Sequence, residues 1–348
     1  MTSRERIIRA LNLEEVDKIP WIELGFHGKI VSEIIGEEVI LNSGFHFLGE
    51  PEEYEKYIKQ MIKLTKKIGL DALHLKCWAP TWTFIETSSS RDSIAFGTAG
   101  KIKNEKEFKN LEPEFIKNCE VSRSRILQCA EVFDRVMKNE EIARGYDIGG
   151  VFTESWESMG FENFCISMEE NPELVKKVIS LFGNFYNGII EEVISKFKVD
   201  FVYSADDLAF KTSPFISLEK LREFIFPYFK ETKKIIGDIP WILHCDGNIL
   251  PIIEDLIEIG IKGFHPMEPQ AINIFEVKKK YGDRICVIGN LDVDLIERGD
   301  KEAARKEIKK LVENLGYKGY IFSSGNSITE GAKLENILAI AEILNKKG

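Results

Sequence analysis

The amino-acid sequence predicts an α/β fold, a single (β/α)8 TIM barrel over residues 1–348. Three observations lead to this class. Short apolar runs end in a polar residue or a glycine, amphipathic helical patterns lie between them, and no Pro-, Gly- or Ser-rich linker separates two domains. Eight alternating strand–helix units on one chain are typical of a closed parallel barrel.

The predicted strands are the short apolar runs, and they follow one another along the whole chain. They lie near residues 19–25, 71–76, 142–154, 199–207, 239–247, 263–268, 284–292 and 319–326. Before the first strand, Thr2 and Glu5 have the spacing of a capping box, which predicts an N-terminal helix. The longest irregular stretch, between Cys77 and Glu141, follows the second strand and is predicted to hold a lid over the barrel mouth.

Composition excludes several classes of protein. The 348 residues are 44% hydrophobic and 30% charged, with a net charge of −10 and no strong basic cluster, so we expect no nucleic-acid binding. No apolar run reaches the length of a membrane span, and no signal peptide precedes the fold. The six cysteines are scattered without C-x-x-C spacing, so we expect a cytoplasmic protein with reduced thiols.

The ends of the predicted strands carry acids and histidines, and barrel enzymes place their chemistry at these ends. A barrel rim is polar in any case, so each of these residues alone is explained equally well as surface. The whole set favours a functional site. Its members are Glu23, His74, Glu154, Asp206, Asp207, His244, Asp246, Glu268, Asn290, Asp292, Ser323 and Asn326.

The stretch WILHCDGNIL, residues 241–250, has the pattern of a metal site. Side chains alternate along a strand, so His244 and Asp246 share one face and Cys245 lies on the other. Glu268 follows at the end of the next predicted strand. These three ligand types suit Zn²⁺ with one position open for substrate, and Glu154 is a reserve ligand. The alternative is a buried His244 bonded to a neighbouring carboxylate.

Four stretches of the sequence also resemble a known family. They are SRERIIRALNLEEVDKIPW, HCDGNILPIIEDLIEIGIKGFHPMEP, YGDRICVIGNLDVDLIERGD and GYIFSSGNSITEGAKLENILAIAE. In these stretches and in their order, the chain resembles the uroporphyrinogen decarboxylase superfamily, which uses a (β/α)8 barrel. The decarboxylases of that family carry an arginine-rich motif after the first strand, which binds the carboxylates of the substrate. This chain has WIELGFHGKIVSEII there, without arginine, so we do not expect decarboxylation of uroporphyrinogen.

The other branch that the resemblance implies is the corrinoid-dependent methyltransferases. They bind zinc through a His-x-Cys at this strand end, often with a second cysteine on the last strand. Here Asp246 stands at the cysteine position, and Ser323, Ser324 and Asn326 stand on the last strand. Hard oxygen has replaced soft sulfur, and zinc held by imidazole and carboxylates is the better Lewis acid toward an oxygen atom. The pattern therefore favours cleavage of a methoxy ether over methylation of a thiol.

We therefore expect a zinc-dependent methyltransferase that moves a methyl group from a methoxylated, aromatic compound to a Co(I) corrinoid. A separate corrinoid-binding protein would carry that cofactor, because the barrel uses the whole chain. The candidates for substrate binding are Trp78, Trp82, Trp156, Tyr203 and Asn326. Aromatic rim residues can hold a ring, although packing of the lid explains each of them equally well.

Several alternatives stay open at this point. Asp206 and Asp207 are candidate catalytic residues that would orient a phenolic hydroxyl or donate a proton, or they are a structural pair that binds backbone amides. The reaction could use another methyl donor or a thiol acceptor. The chain could also be a metal-free decarboxylase of a small acid, or a non-catalytic relative that binds a corrinoid protein or a tetrapyrrole. Monomer and homodimer are both compatible with the sequence.

Overall fold

The computed structural model describes residues 1–39, 50–87 and 97–345, and these residues form one α/β fold around a curled parallel sheet. The strands within the described residues are β1 (Ala72–Cys77), β2 (Ile85–Thr87), β3 (Gly97–Gly100), β4 (Ala143–Ile148), β5 (Phe201–Ala205), β6 (Trp241–His244), β7 (Gly263–His265), β8 (Cys286–Ile288) and β9 (Tyr320–Ile321). Strands β2 and β3 form a separate antiparallel pair, and the other seven pair in the order β1-β4-β5-β6-β7-β8-β9.

Helices follow most strands of the sheet. They are α1 (Ser3–Leu11), α2 (Gly28–Ile35), α3 (Pro51–Ile68), α4 (Glu105–Val136), α5 (Val151–Met159), α6 (Phe161–Glu170), α7 (Pro172–Lys196), α8 (Leu218–Phe224), α9 (Phe226–Ile236), α10 (Ile253–Ile259), α11 (Ile274–Tyr281), α12 (Val293–Glu297), α13 (Lys301–Leu315) and α14 (Leu334–Leu344). None of these helices is long and apolar enough to span a bilayer.

The two edges of the sheet meet at residues 20–22. The Trp21 carbonyl accepts from the Asp71 N–H at 2.9 Å just before β1, and the Ile22 N–H donates to the Phe322 carbonyl at 3.1 Å just after β9. This arrangement is consistent with a TIM-like barrel. The predicted strand over 19–25 was wrong as a regular element, because the segment pairs with the residues after β9 only through an isolated bridge between Trp21 and Phe322. One reason is that the Glu23 side chain takes the Ser324 N–H that a strand partner would bind.

Helix α1 covers the amino-terminal end of the barrel. Its buried residues Ile7, Ala10 and Leu11 belong to one apolar cluster with inward-facing strand residues such as Ala72 and Ile242. The Thr2 side chain accepts from the Glu5 N–H at 3.1 Å, and the Glu5 carboxylate accepts from the Thr2 N–H at 2.8 Å. The capping box that the sequence pattern predicted is therefore present.

The third predicted strand was wrong at its end. Strand β4 stops at Ile148, Gly149 and Gly150 follow, and α5 begins at Val151. The strand does not continue to residue 154, because the chain turns into α5 and the N–H groups of Phe152 and Thr153 donate to the Asp206 side chain. Glu154 therefore lies in the first turn of a helix and not at a strand end.

The predicted insertion contains regular structure of its own. After β1 come a short 3-10 turn at Thr81–Thr83, the β2–β3 pair and the 32-residue helix α4. The Ile102 N–H donates to the Ser158 carbonyl at 3.0 Å, so the segment between β3 and α4 lies against α5. Residues 88–96 of the predicted lid lie outside the described residues.

Candidate metal centre

The inner face of the sheet carries charged and aromatic side chains near its carboxyl end. Strand pairing places Lys76 of β1 opposite Asp147 of β4, and Asp147 opposite Tyr203 of β5. On β6, His244 pairs with Ala205 on one side and with His265 of β7 on the other. Strands β1, β4, β5, β6 and β7 therefore bring polar or aromatic side chains together at the carboxyl end of the sheet, as the fold class predicts.

Asp207, His244 and Asp246 form a group that could hold a metal ion. Each offers one ligand atom, and these atoms lie within 4.8 Å of one another. His244 Nε2 is 3.9 Å from Asp246 Oδ1, which is buried and has no hydrogen-bond partner among the described residues. The other oxygen of Asp246 accepts from Asn326 Nδ2 at 3.1 Å. One carboxylate oxygen and one ring nitrogen are thus held near each other without a direct bond.

The backbone around this group fixes its shape. Asp207 Oδ1 accepts from the Asp246 N–H at 2.8 Å, so the end of β5 is tied directly to the end of β6. Asp207 is held in turn through its own N–H, which donates to Thr153 Oγ1 at 2.9 Å. Cys245 lies on the opposite face, as strand alternation predicts, and its sulfur accepts from the Leu208 N–H at 3.1 Å.

The local electrostatics favour a cation. Burial raises the pKa of Asp246 to about 6, His244 counteracts that rise, and the nearby carboxylates of Asp207 and Glu268 add to it. A bound cation would remove this penalty, because it stabilises the ionised carboxylate more than the protonated form.

His244 is backed by a chain of side chains. Its Nδ1 lies 2.7 Å from Nδ1 of His265, and His265 Nε2 lies 3.0 Å from Ser323 Oγ. Tyr203 Oη is 2.9 Å from the same His265 Nδ1. Burial lowers the pKa of His265 well below its ordinary value, and the neighbouring His244 acts in the same direction, which favours a neutral His265 ring.

Two of the predicted metal ligands lie outside this group. Glu268 Oε2 accepts from the Gly247 N–H at 2.8 Å, and its Oε1 is 3.7 Å from Lys211 Nζ. Glu268 lines the same pocket as Asp246 and Asn326. In α5, Glu154 is bonded to the Tyr186 hydroxyl, and burial raises the pKa of Glu154 well above its ordinary value.

The two predicted catalytic aspartates have different surroundings. Asp206 is buried, its Oδ2 accepts from the Phe152 N–H at 3.0 Å, and its Oδ1 accepts from the Thr153 N–H at 2.8 Å and from Thr153 Oγ1 at 2.9 Å. These contacts hold the first turn of α5, which favours the structural role for Asp206. Asp207, by contrast, belongs to the group with His244.

The predicted aromatic residues are spread over different environments. Tyr203 is buried inside the barrel and stacks on His74 with ring centroids 5.5 Å apart. Trp78 is half-buried beneath Lys76 Nζ, which lies 4.7 Å from its ring centroid. Trp82 is 53% exposed, and Trp156 packs against Phe161 and Phe215. These contacts place Trp156 in an aromatic cluster of α5, α6 and the loop before α8.

Sequence reasoning missed Lys76, Asp147 and His265. Asp147 is buried on β4 with Lys76 Nζ 3.9 Å away, and burial raises the pKa of Asp147 to about 6. Burial also lowers the pKa of Lys76 to about 8. Counting forward by two from Ala143 in ARGYDI and from Gly263 in GFHPME reaches Asp147 and His265, which therefore lie on the inner faces of their strands.

The chain is similar to several known proteins. The sequence profile of the uroporphyrinogen decarboxylase (URO-D) family matches residues 105–346. A uroporphyrinogen decarboxylase from Trichodesmium erythraeum (strain IMS101) is 23% identical over 233 residues, which cover 61% of this chain and 60% of the relative. Another, from Chlorobium phaeovibrioides (strain DSM 265 / 1930), is 24% identical over 209 residues, 57% of each chain. The chain thus spans about 60% of the length of these curated relatives.

Among solved structures, a methyltransferase from Methanosarcina mazei is similar with a TM-score of 0.71 and 18% identity, over 98% of both chains. A B12-independent methionine synthase from Shewanella sp. W3-18-1, in complex with selenomethionine, gives a TM-score of 0.54 and 12% identity. That similarity covers 94% of this chain and 97% of the synthase. At these identities the structural similarities establish the fold.

Proposed function

Because the chain belongs to the uroporphyrinogen decarboxylase family, we propose that it is an enzyme of the methyltransferase branch of that fold. In the proposed reaction the methyl–oxygen bond of a methoxylated, aromatic compound breaks. The methyl group goes to the Co(I) corrinoid of a separate protein, and the oxygen leaves as a phenoxide.

The observation that carries this proposal is the group of Asp207, His244 and Asp246. One imidazole nitrogen and carboxylate oxygens suit Zn²⁺. The residues fit a cation because Asp246 Oδ1 is buried without a hydrogen bond in the described part of the chain, and it lies 3.9 Å from His244 Nε2. An orphaned buried oxygen is costly, and a cation would satisfy it.

When bound, zinc would supply a Lewis acid that stabilises negative charge on the ether oxygen. His244, Asp246 and Asp207 would hold it, and Glu268 would be the next ligand because it lines the same pocket as Asp246. Glu154 stays the reserve ligand. With Asp207 as a ligand, its role shifts from proton donor to binding, since a carboxylate that binds a cation cannot also deliver a proton.

The other residues would position the substrate. Asn326 holds Asp246 from the side opposite His244 and is exposed to the same pocket, so it can bind a polar substituent of the substrate. Trp78, Trp82 and Trp156 would line the substrate at the mouth, whereas Tyr203 is buried with its ring stacked on His74 and would support the site from inside the barrel. Asp206 supports the site by holding α5 in place. Positioning of the methyl carbon opposite the incoming cobalt accounts for much of such a rate gain.

The first experiment measures metal and turnover together. The purified protein is assayed for zinc and then incubated with a methoxybenzoate and a reduced corrinoid protein, while the cobalt spectrum is followed. We expect stoichiometric zinc, conversion of Co(I) to methyl-Co(III), and release of the phenol. His244→Ala and Asp246→Ala should lose both zinc and turnover, and His27→Ala, at the N-cap of α2 and not a member of this group, is the matched control. Full zinc occupancy in His244→Ala would contradict this ligand set.

A second candidate function has support in the curated relatives, which are decarboxylases. A metal-free decarboxylase of a small acid would use Asp207 as its acid. The same experiment separates the two functions. Zinc-free protein that releases CO₂ from a small aromatic acid, and that transfers no methyl group, would favour decarboxylation. Methylation of the corrinoid from methanol or a methylamine alone would keep the branch but exclude a methoxyarene as the substrate.

A further inference from the structure

A chain of hydrogen bonds runs from Glu23, through Ser323 and His265, to His244. Ser323 Oγ is 3.4 Å from Glu23 Oε2 and 3.0 Å from His265 Nε2. His265 Nδ1 is then 2.7 Å from His244 Nδ1. All of these residues are buried, so no solvent competes for their hydrogen bonds. The proton positions in such a chain depend on one another, because each hydroxyl or neutral ring has one proton to donate.

Glu23 sets the direction of the chain. Trp21 Nε1 donates to it at 2.6 Å, and the Ser324 N–H donates at 3.2 Å. Both of these groups can only donate, and the Ser324 hydroxyl also contacts Oε2, so an ionised Glu23 acts as the acceptor at this end of the chain. Ser323 Oγ–H therefore donates to Glu23, and the Ser323 oxygen is left to accept from His265 Nε2–H.

The remaining proton positions follow. A neutral His265 that carries its proton on Nε2 has a single lone pair on Nδ1. Two donors share it, His244 Nδ1–H at 2.7 Å and the Tyr203 hydroxyl at 2.9 Å, and the contact with His244 is the shorter. His244 then has its lone pair on Nε2, the nitrogen that lies 3.9 Å from Asp246 Oδ1. An imidazole binds a metal through an unprotonated nitrogen, and its other N–H fixes which nitrogen that is.

We propose that His265 is the positioning residue of the metal centre, which together with Ser323 and Glu23 holds His244 in the tautomer and orientation that face the cation. This inference deepens the proposed function and rests on its metal centre. A role in packing alone would require only the volume of the His265 ring. The hydrogen-bonding role requires an acceptor opposite His244 Nδ1.

Two substitutions separate these roles. His265→Leu fills the space without an acceptor, and His265→Gln keeps a side-chain oxygen that can accept from His244. We expect His265→Leu to weaken zinc binding about 10- to 100-fold, the usual effect of losing such an outer partner, and His265→Gln to recover most of the loss. His74→Leu is the matched control, because His74 is a largely buried histidine that stacks on Tyr203 and has no described bond to His244.

The zinc dissociation constant is measured by competition with a chromophoric chelator on folded protein. Nitrogen-15 NMR of the metal-free protein reports which ring nitrogen of His244 carries the proton. The wild-type protein should show a protonated Nδ1 and a bare Nε2, and this preference should be lost in His265→Leu and kept in His74→Leu. The NMR measurement needs no metal, so it tests the positioning role even in protein that binds no zinc.

The outcomes are distinct. Wild-type protein that binds no zinc, but shows the His265-dependent tautomer, would remove the proposed function and support the positioning role. Zinc binding in His265→Leu equal to that of the wild type, or a His244 protonated on Nε2 in the wild type, would overturn the positioning role. Equal losses in His265→Leu and His265→Gln would also overturn it, because volume and not acceptance would then be the controlling property.

Discussion

The two ends of the barrel hold buried charge in opposite ways. At the amino-terminal end, Arg6 donates to Asp71 at 2.5 Å and to Asp17 at 2.7 Å, and the second oxygen of Asp71 accepts from the Trp21 N–H at 2.9 Å. At the carboxyl end, burial raises the pKa of Asp246 to about 6 and the pKa of Glu157 to about 7. Buried acids are therefore paired with a cation at the amino-terminal end, whereas at the carboxyl end burial disfavours their ionised forms.

This difference separates stability from function. A paired and hydrogen-bonded ion set stabilises the fold at the end where barrels carry no chemistry. Acids that are buried beside one another lower stability, and such groups are concentrated where a protein binds or transforms a ligand. The carboxyl end of this barrel therefore has the electrostatic character expected of a cation site. Variants of the paired ions at the amino-terminal end should mainly change the free energy of unfolding, and variants of the metal group at the carboxyl end should mainly change zinc binding.

The largest effect is expected from breaking the paired end. Arg6→Ala leaves the buried Asp71 carboxylate with only the longer contact to Lys18 Nζ at 3.9 Å, so the free energy of unfolding should fall by about 3–5 kcal/mol. Urea denaturation followed by circular dichroism measures this change. Arg6→Lys, which keeps the charge but loses the forked geometry, should fall between the wild type and Arg6→Ala. A loss below about 1 kcal/mol in Arg6→Ala would show that the pair does not support the fold.

Metal removal should act at the other end alone. Free zinc at about 100 times its Kd should raise the free energy of unfolding by about 2.7 kcal/mol in the wild type, and EDTA should reverse the gain. Arg6→Lys should gain the same amount, because sites that share no partners add independently within a few tenths of a kcal/mol. Asp246→Ala should gain nothing. A reduced gain in Arg6→Lys would mean that the two ends are coupled.

A smaller stabilising effect is expected when the charge of Glu157 is removed. Burial, with the nearby Asp207 and Asp206, raises the pKa of Glu157 from 4.5 to about 7. The folded state therefore binds this proton more strongly than the unfolded state. The stabilising contribution is present below pH 4.5 and is lost as pH rises through about 7. Glu157→Gln should thus raise the free energy of unfolding by about 1–2 kcal/mol at pH 8 and leave it nearly unchanged at pH 4.

Glu162→Gln is the matched control for that prediction, since Glu162 is exposed on the neighbouring helix. Denaturation of both variants and the wild type at pH 4, 6 and 8 gives the comparison. A stabilisation of Glu157→Gln that does not depend on pH would indicate a helix-propensity effect and not relief of a buried charge.

The sequence predicted the sheet better than its edges and ends. Strands that bury both faces leave clear apolar runs, so β5, β6 and β8 were placed correctly to within a few residues. The segment around Trp21 has a similar apolar run, but only isolated bridges form there, because the Glu23 side chain takes the place of a ladder partner. This replacement of a backbone partner by a side chain depends on tertiary contacts that no local sequence pattern records.

The site was predicted in part for a related reason. Alternation along a strand fixed the common face of His244 and Asp246 without any knowledge of the neighbours. The third member of the metal-binding group could not be predicted in this way, because its identity depends on how far each strand extends. Asp207 lies beside Asp246 because its side chain accepts from the Asp246 N–H, whereas the Glu268 side chain turns back to accept from the Gly247 N–H. Partners that come from different strand ends are set by the barrel register, which the sequence does not state.

The smallest effect is expected at the residue beside the metal group. Cys245 faces away from Asp246 and its sulfur accepts from the Leu208 N–H, so we do not expect the sulfur to bind zinc. Cys245→Ser should keep the Leu208 bond, change the zinc Kd by less than about twofold, and cost about 1 kcal/mol of stability because a hydroxyl is harder to bury than a thiol. Asp246→Ser, one residue along, should weaken zinc binding by more than about 100-fold, beyond the effect of an outer partner. Measuring both zinc constants side by side tests the strand register directly, because comparable losses in the two variants would mean that Cys245 also reaches the metal and that the two faces of β6 are not separate.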